Sequence, residues 1–248
     1  MGKVYLVGAG PGDSWLTPSC VPGILKVADV VLYDKLIDES LLKNASEAEL
    51  IYVGKAPNKH AMRQEEINKL LVELAKKHNI VVRLKGGDPF VLGRGDEECD
   101  YLLEHGIECR VIPAPTSATA VPACAGIPVT RRNLANTFAV ATGRAAEGSK
   151  VPKYGEMLNV VDTLVVLMGV GKVKEITEDI LTKHGDVPAA AIQEGCTKRQ
   201  KVVLSMASNL AEVMERNGLE PPAILVFGKV VKWAWKRGLV RDVVEARF

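Results

Sequence analysis

The chain has 248 residues, 47% of them hydrophobic, which is enough to bury one large core or two smaller ones, and we expect two domains. Its 32 basic and 30 acidic residues give a formal net charge of +2, so there is no general reason to expect a nucleic-acid surface or an acidic tail. No segment approaches the roughly 20 apolar residues that span a bilayer, and we expect a soluble cytoplasmic protein.

Cysteine and histidine usage argues against cross-linked or metal-bound sites. The five cysteines are scattered, odd in number and never spaced as CxxC, so the sequence predicts neither a disulfide framework nor a zinc site. The four histidines lack the spacing of metal ligands, and we expect no metal. The cysteines are Cys20, Cys99, Cys109, Cys124 and Cys196.

The first half of the chain alternates short apolar segments with amphipathic ones. Apolar residues at i, i+3, i+4 and i+7, from Ile67 to Leu74, predict a helix over residues 64–78. This alternation is typical of an α/β fold with a largely parallel sheet covered by helices. The predicted strands are residues 4–7, 30–33, 51–53, 80–84 and 109–112.

The alternation breaks at Pro113 and Pro115. Two prolines so close together disfavour a continuous element, so we expect a domain boundary there. The expected N-terminal α/β domain is residues 1–112, and the expected C-terminal α/β domain is residues 113–248.

The second half also alternates strands and helices. Gly185 and Gly218 each follow an amphipathic stretch, as glycine commonly does after the last turn of a helix. The predicted helices are residues 172–184 and 208–217, and the predicted strands are residues 137–142, 163–168, 189–193, 201–205 and 223–227.

The most informative segment is KGGDPFVLGRG, which follows the apolar run at residues 80–84. Open α/β sheets bind ligands at the carboxyl ends of their strands, and glycine lets a ligand lie against the main chain. The segment therefore predicts a small-molecule site. A tight turn without a ligand is the alternative.

The segment GAGPGD, at residues 8–13, has some likeness to a dinucleotide-binding loop, which makes a nicotinamide-dependent oxidoreductase one alternative. Such loops open directly into a helix, whereas here we expect the helix to start later, near Thr17 and Pro18. A longer, open loop suits a ligand without phosphates better. A purely structural turn is the other interpretation.

Ionisable residues are expected at the same sheet edge. Asp34 follows the strand at residues 30–33, and Lys55 follows the strand at residues 51–53. An acid and a base at one edge could transfer protons. The alternatives are a helix cap for Asp34 and a solvated side chain for Lys55.

Four arginines fall in loops near these segments, namely Arg94, Arg131, Arg132 and Arg144. The planar guanidinium binds carboxylates in a bidentate manner, so these residues indicate a polyanionic substrate despite the nearly neutral chain. Arg131 and Arg132 could equally be an ordinary solvated pair.

Read in order, the segments resemble a known family. GAGPGD at residues 8–13 and KGGDPFVLGRG at 85–95 are accompanied by VVLYDKL at 30–36, PTSA at 115–118 and AGIPVTRR at 125–132. The chain resembles the uroporphyrinogen-III C-methyltransferases of the tetrapyrrole methylase family over nearly its whole length. The KGGDPF and GRG strings separate these enzymes from later corrin-ring methyltransferases of the same fold, which remain an alternative.

The resemblance implies two α/β domains of the tetrapyrrole methylase type, with S-adenosylmethionine in the cleft between them, and a homodimer. It implies that Asp34 accepts a proton and that Lys55 donates one. The residues that it implies as cofactor-binding are Pro11, Gly86, Gly87, Asp88, Val91, Thr116, Ser117, Met168, Cys196 and Ala223.

The implied reaction is two successive methyl transfers to carbon atoms of uroporphyrinogen III, giving precorrin-2 for siroheme or cobalamin biosynthesis. Because this substrate is a polycarboxylate, we hypothesise that Arg94 and Arg131 hold its acetate or propionate arms. A carrier that binds the tetrapyrrole without the methyl donor is a further alternative. We expect no nucleic-acid or membrane partner.

Overall fold

The computed structural model describes residues 2–54, 62–145 and 148–248. The chain divides into two compact units, Met1–Thr116 and Ser117–Phe248. The division thus falls after Thr116, whereas the boundary expected from the two prolines follows Ile112.

The first unit alternates strands and helices along the chain. Two short 3-10 segments, Ser14–Leu16 and Glu39–Asn44, follow β1 and β2 respectively. The longer elements are β1 (Lys3–Gly8), α1 (Val21–Lys26), β2 (Val30–Tyr33), β3 (Glu49–Tyr52), α2 (Gln64–Lys77), β4 (Ile80–Lys85), α3 (Gly95–Glu104) and β5 (Glu108–Ile112).

Within residues 2–54 and 62–116, five strands form a sheet in the order β3–β2–β4–β1–β5. Each neighbouring pair is parallel, as the sequence predicts. Leu84 of β4 is in register with Val7 of β1 and with Tyr33 of β2. The loops that follow these three strands therefore leave the sheet at the same edge.

The faces of β4 follow the two-residue period of an extended strand. Val81 packs with Leu71 of α2, whereas Leu84 packs in the core on the opposite face. Arg83 and Lys85 come two and four residues after Val81, so their side chains point to the same face as Val81. This face is covered by α2 and α3, and both residues are buried there.

The second unit has more elements and a mixed sheet. Within residues 117–145 and 148–248, six strands follow the order β11–β9–β8–β10–β7–β6. The elements are α4 (Ser117–Cys124), β6 (Phe138–Thr142), α5 (Tyr154–Leu158), β7 (Thr163–Leu167), α6 (Val173–Lys183), β8 (Pro188–Gln193), β9 (Lys201–Met206), α7 (Ala207–Arg216), β10 (Ala223–Gly228), α8 (Lys229–Lys236) and β11 (Val243–Arg247).

The core of the second unit lies around β10. This strand is buried along its whole length and runs antiparallel to both β7 and β8. Phe227 packs with Leu164 of β7, Ile180 of α6 and Leu210 of α7 in one apolar cluster. Helices α6 and α7 therefore cover the face of the sheet to which these side chains point.

Some elements differ from the sequence prediction. Helix α1 begins at Val21 and not near Thr17, because a 3-10 segment and a turn come first. Strand β11 was not predicted, since Glu245 and Arg247 are charged, and it pairs with β9 at the sheet edge. The pattern also did not predict α3, α4, α5 and α8.

The prediction of no disulfides is wrong. Cys99 of α3 is bonded to Cys109 of β5, and Cys124 of α4 is bonded to Cys196 in the loop after β8. The Cα atoms lie 5.6 Å and 5.4 Å apart, at sequence separations of 10 and 72 residues. No spacing rule signals such pairs, because the fold alone brings the partners together. Cys20 is a free, exposed thiol.

In the three described ranges, every helix is too short or too polar to cross a bilayer. Those same ranges contain no group of three or more His, Cys, Asp or Glu side chains placed to hold a metal ion.

Candidate active site

The two glycine-rich loops of the first unit are joined through their backbones. The amide of Gly87 donates to the carbonyl of Gly10 at 2.9 Å, and the amide of Gly10 donates back at 3.3 Å. Gly10 has a φ of 75° and Gly87 a φ of 66°, which side chains with a Cβ rarely adopt. The loops after β1 and β4 therefore form one continuous backbone surface at the sheet edge.

Close packing leaves no room for side chains at this edge. A Cβ on Gly8 would lie 2.7 Å from the Cβ of Ala114, and a Cβ on Gly86 would lie 2.7 Å from the Cβ of Leu36. Pro11 is buried in the first loop. Close packing between the loops and their neighbours therefore requires glycine at both positions.

Asp88 shapes the turn that follows the paired glycines. Its Oδ1 accepts a hydrogen bond from the amide of Phe90 at 2.9 Å, and its Oδ2 accepts one from the amide of Ala114 at 3.1 Å. The carboxylate thus ties the loop after β4 to the segment after β5. Val91 lies in the same turn and is partly exposed.

Asp34 lies directly after β2, beside this turn. Its Oδ1 accepts from the amide of Leu36 at 3.0 Å, and its Oδ2 accepts from the Arg83 guanidinium at 3.2 Å. Its side chain is 24% exposed. The residue therefore both closes a local turn and presents a paired carboxylate at the sheet edge.

A buried ionic cluster lies beneath Asp34. Glu98 of α3, which is 0% exposed, accepts from Lys85 at 3.1 Å to each oxygen and from Arg83 Nε at 3.4 Å. Gln64 of α2 donates to the same carboxylate at 3.1 Å. Burial lowers the pKa of Lys85, as does neighbouring Arg83, while Glu98 opposes the decrease.

Asp38 fixes the 3-10 segment after the first glycine-rich loop. Its Oδ2 accepts from the amide of Ser14 at 2.8 Å and its Oδ1 from the amide of Ser40 at 2.9 Å. Burial raises the pKa of this carboxyl, but the hydrogen bonds from Ser40 and Ser14 outweigh burial and lower the pKa to about 2. The charged form of Asp38 therefore anchors the loop more strongly than the neutral form.

Arg94 already has an anionic partner. It precedes α3 with a φ of 57°, and its Nε and Nη2 donate to Glu97 at 2.9 Å and 2.6 Å. The hydrogen bond to Glu97 raises the pKa of the guanidinium. The side chain is 52% exposed, and Glu97 uses only some of its five N–H donors.

In the second unit, Met168 follows β7 with a φ of 57° and is 48% exposed. Its carbonyl oxygen would lie 2.9 Å from a Cβ on Gly143, and the Gly143 amide donates to Leu167 at 2.7 Å. The loops after β6 and β7 are thus in backbone contact, as the two glycine-rich loops are in the first unit.

The Cys124–Cys196 disulfide joins the loop after β8 to the end of α4. Cys196, with a φ of 63°, is bonded to Cys124 at the end of α4, the helix that Ser117 begins. A Cβ on Gly195 would collide with a methyl carbon of Val121, so the loop packs tightly on α4.

Ala223 and Arg131 occupy two further positions in the second unit. Ala223 begins β10 and pairs with Gln193, directly before the loop that contains Cys196. The guanidinium carbon of Arg131 lies 4.2 Å from the ring centre of Trp233 on α8, and Arg131 Nη1 donates to the Arg132 carbonyl at 3.1 Å.

The sequence matches a known protein family over most of its length. The model of the family described as Tetrapyrrole (Corrin/Porphyrin) Methylases matches residues 3–211. The chain belongs to the tetrapyrrole methylase family.

Named relatives of this tetrapyrrole methylase share nearly its whole length. It is 47% identical over 234 residues to the uroporphyrinogen-III C-methyltransferase of Methanocaldococcus jannaschii, covering 93% of this chain and 97% of the relative. It is 44% identical over 240 residues to the enzyme of the same name from Bacillus subtilis, covering 95% and 93%. These matches confirm the resemblance on which the sequence prediction depends.

Its fold matches that of a solved structure. The uroporphyrin-III C-methyltransferase of Thermus thermophilus, complexed with S-adenosylhomocysteine, aligns with a TM-score of 0.81 at 41% identity. The alignment covers 94% of this chain and 100% of that structure. The expected α/β fold of the tetrapyrrole methylase type is confirmed.

The structure of this tetrapyrrole methylase groups the predicted residues within each unit. In the first unit, Pro11, the 86–88 turn and Asp34 share one sheet edge. In the second unit, the disulfide joins the segment of Cys196 to the helix that Ser117 begins. Lys55 lies outside the described residues.

The sequence did not predict the polar residues beneath the edge, notably the charged Glu98 and the neutral amide Gln64. One signal was present, because Arg83 interrupts an apolar run that predicts a buried strand, and a buried charge requires a partner. Nothing in the spacing pointed to Glu98, since its position depends on how α3 packs on β4.

Proposed function

We propose that this chain is an S-adenosylmethionine-dependent C-methyltransferase that converts uroporphyrinogen III to precorrin-2 by two successive methylations, in siroheme or cobalamin biosynthesis. The observation that carries the proposal is 47% identity, over 93% of this chain, to the Methanocaldococcus jannaschii enzyme of that name. The Thermus thermophilus structure, which contains the demethylated form of the methyl donor, supports the choice of cofactor.

The glycine-rich loops fit a cofactor held largely by main chain. S-adenosylmethionine, when bound, supplies an electrophilic methyl group carried on a sulfonium. A Cβ at Gly8 or Gly86 would collide with neighbouring protein atoms, so close packing keeps these positions free of side chains. The residues that we propose for cofactor binding are Pro11, Gly86, Gly87, Asp88, Val91, Thr116, Ser117, Met168, Cys196 and Ala223.

Two of these residues contribute through their backbones. Both oxygens of Asp88 already accept from backbone amides, so its carboxylate shapes the turn. The sulfur of Cys196 is bonded to Cys124 and its amide donates to Gln200 Oε1, so we propose that its carbonyl oxygen contacts the ligand. Its positive φ turns the backbone at this point.

Arg94 and Arg131 are the proposed contacts to the carboxylates of the substrate. Glu97 occupies two of the donors of Arg94, and a guanidinium has five, so further donors remain for the substrate. Arg131 stacks on Trp233, which restrains the guanidinium while its edge stays available for carboxylates.

Asp34 and Lys55 are the proposed proton acceptor and donor. Forming a carbon–carbon bond at a pyrrole carbon leaves a cationic ring system, which returns to neutrality by losing a proton. Asp34 suits that step because its carboxylate is partly exposed and a carboxylate has more acceptor sites than Leu36 and Arg83 use. The role of Lys55 follows from the family resemblance.

We also propose a homodimer, as the family resemblance implies. Analytical ultracentrifugation at micromolar concentration tests this point, and a monomer there would contradict it.

One assay tests the proposed reaction. The protein is incubated anaerobically with uroporphyrinogen III and S-adenosylmethionine labelled in its methyl group, and the product is analysed by mass spectrometry. We expect a product with two labelled methyl groups and two equivalents of S-adenosylhomocysteine. Methylation of a later corrin substrate, with none of uroporphyrinogen III, would contradict the proposal.

A further inference from the structure

A cluster of charges is buried directly beneath Asp34. Glu98 is 0% exposed, and the side chains of Arg83 and Lys85 are 6% and 7% exposed. Apolar residues of similar volume often stabilise a core as well as or better than a buried ionic group. Stability alone therefore does not explain why these charges are buried here.

Every member of the cluster is held at several points. Glu98 Oε1 accepts from Arg83, Lys85 and Gln64 at 3.4, 3.1 and 3.1 Å. Arg83 Nη1 donates to the carbonyl of Leu84 at 3.0 Å. The Arg83 guanidinium is thus fixed through Nε and Nη1, which leaves Nη2 to contact Asp34 at 3.2 Å.

The charges of the cluster balance only when Asp34 is included. Two buried cations, Arg83 and Lys85, face one buried anion, Glu98, and the two contacts of Lys85 to Glu98 favour the ammonium form. Asp34 supplies the second negative charge at the rim, where its side chain reaches solvent. The core of the first unit thus presents an oriented cation to the Asp34 carboxylate.

We propose that Arg83 and Glu98 are positioning residues for Asp34: Glu98 orients the Arg83 guanidinium, and Arg83 holds the Asp34 carboxylate in the orientation that accepts the proton. This inference rests on the proposed function, in which Asp34 is the proton acceptor. Arg83 and Glu98 themselves do not touch the reacting atoms.

A double-mutant cycle tests the proposal with Asp34→Asn and Arg83→Met, which keeps most of the stem of Arg83 but removes its charge. We expect each single variant to lower kcat by about 10²-fold, the usual contribution of a positioned proton acceptor. The KM for uroporphyrinogen III and the affinity for S-adenosylhomocysteine should stay within about twofold of wild type.

The decisive measurement is Arg83→Met in the Asp34→Asn background. If Arg83 acts through Asp34, the second substitution lowers kcat no further. A purely structural role predicts the same decrease in both backgrounds, and that result would overturn the proposal. Glu98→Gln should give a smaller decrease in kcat that also disappears in the Asp34→Asn background.

Two further variants distinguish loss of the proposed interaction from misfolding. Arg110→Met removes an arginine whose ion pair with Glu108 is exposed, and it should leave kcat unchanged. Arg83→Lys keeps the charge, so it should restore part of the activity, and no gain over Arg83→Met in a folded protein would contradict the proposal. Circular dichroism establishes which variants are folded.

The cycle separates this inference from the proposed function. If Asp34→Asn leaves kcat unchanged, the assignment of Asp34 fails, and the inference fails with it. If Asp34→Asn lowers kcat but the effect of Arg83→Met stays additive, the positioning inference alone fails.

Discussion

The backbone amide of Gly87 donates a 2.9 Å hydrogen bond to the carbonyl oxygen of Gly10. This contact joins the loops after β4 and β1, which come from distant parts of the sequence. Both residues have positive φ, so the join depends on glycine at each position. The two loops that the sequence singles out separately are one structural feature.

Gly10→Ala should weaken cofactor binding. The new Cβ would lie 2.8 Å from the carbonyl oxygen of Leu16, and the φ of 75° adds backbone strain. We expect at least about 1–2 kcal/mol of lost stability from the strained backbone. We also expect about tenfold weaker binding of S-adenosylhomocysteine, measured by isothermal titration calorimetry.

Gly106→Ala is a matched control for this variant. Gly106 has a φ of 70°, but a Cβ there would meet nothing within 4 Å. The Gly106→Ala variant should lose a similar amount of stability from backbone strain, and its affinity for S-adenosylhomocysteine should equal that of wild type. Equal affinities for the two variants would contradict a role for the first glycine-rich loop in binding.

The two disulfides should differ in what they stabilise. The Cys124–Cys196 bond spans 72 residues and the Cys99–Cys109 bond spans 10. Chain entropy predicts losses of about 4 and about 3 kcal/mol respectively when each is replaced by a serine pair. Urea unfolding measures both losses.

Cofactor affinity gives a second comparison of the same variants. Cys124→Ser/Cys196→Ser should also weaken S-adenosylhomocysteine binding, because it releases the loop after β8 from α4. Cys99→Ser/Cys109→Ser leaves the proposed cofactor segments in place and should bind normally. Unchanged affinity in the first variant would argue against a cofactor role for the Cys196 segment.

Asp38 should make stability depend on pH in the acidic range. The folded-state pKa falls from its ordinary value of 3.8 to about 2, so the charged form stabilises the fold at pH values above 3.8. This stabilisation is lost as pH falls from 3.8 towards 2, and solvent screening limits it to about 1 kcal/mol.

Asp38→Asn provides the test of that pH dependence. The difference in unfolding free energy between wild type and this variant should be largest near neutral pH and should shrink below pH 4. A difference that stays constant between pH 7 and pH 2 would contradict the proposed anchoring role.

Substitution of the proposed substrate arginines should weaken the binding of uroporphyrinogen III and leave cofactor binding unchanged. Arg94→Gln and Arg131→Gln should each raise the KM for uroporphyrinogen III by about tenfold or more, the usual effect of losing a hydrogen bond to a charged group. The affinity for S-adenosylhomocysteine should not change. Steady-state kinetics and calorimetry separate the two effects.

Arg110→Gln is the control for these arginines, because it removes an exposed charge from β5. It should leave both KM and cofactor affinity unchanged. A parallel loss of substrate and cofactor binding in Arg94→Gln or Arg131→Gln would refute the assignment to the substrate.

Strand positions followed from local patterns. The predicted segment 30–33 matches β2 at both ends, and 80–84 falls one residue short of β4. Such runs are recognisable because a strand that is covered on both faces is largely apolar, even where it carries a buried charge such as Arg83 in β4. By contrast, β11 is the outermost strand of its sheet and remains largely exposed. Its charged composition therefore does not predict a strand.

The candidate site was only partly predictable. The sequence pointed to Asp34 and the glycines because residues after parallel strands meet at one edge. It did not point to Glu98 or Asp38, whose hydrogen bonds orient that edge, since their partners lie on elements whose packing has no local signature.

The amino-acid sequence alone determined the family, the alternation of strands and helices, and the glycine loops at the sheet edge, because these depend on short-range periodicity and on conformations that only glycine adopts easily. The tertiary structure decided which charges and cysteines are paired. Arg83 with Asp34 and Cys124 with Cys196 are distant in sequence, and packing of separate elements brings each pair within bonding distance.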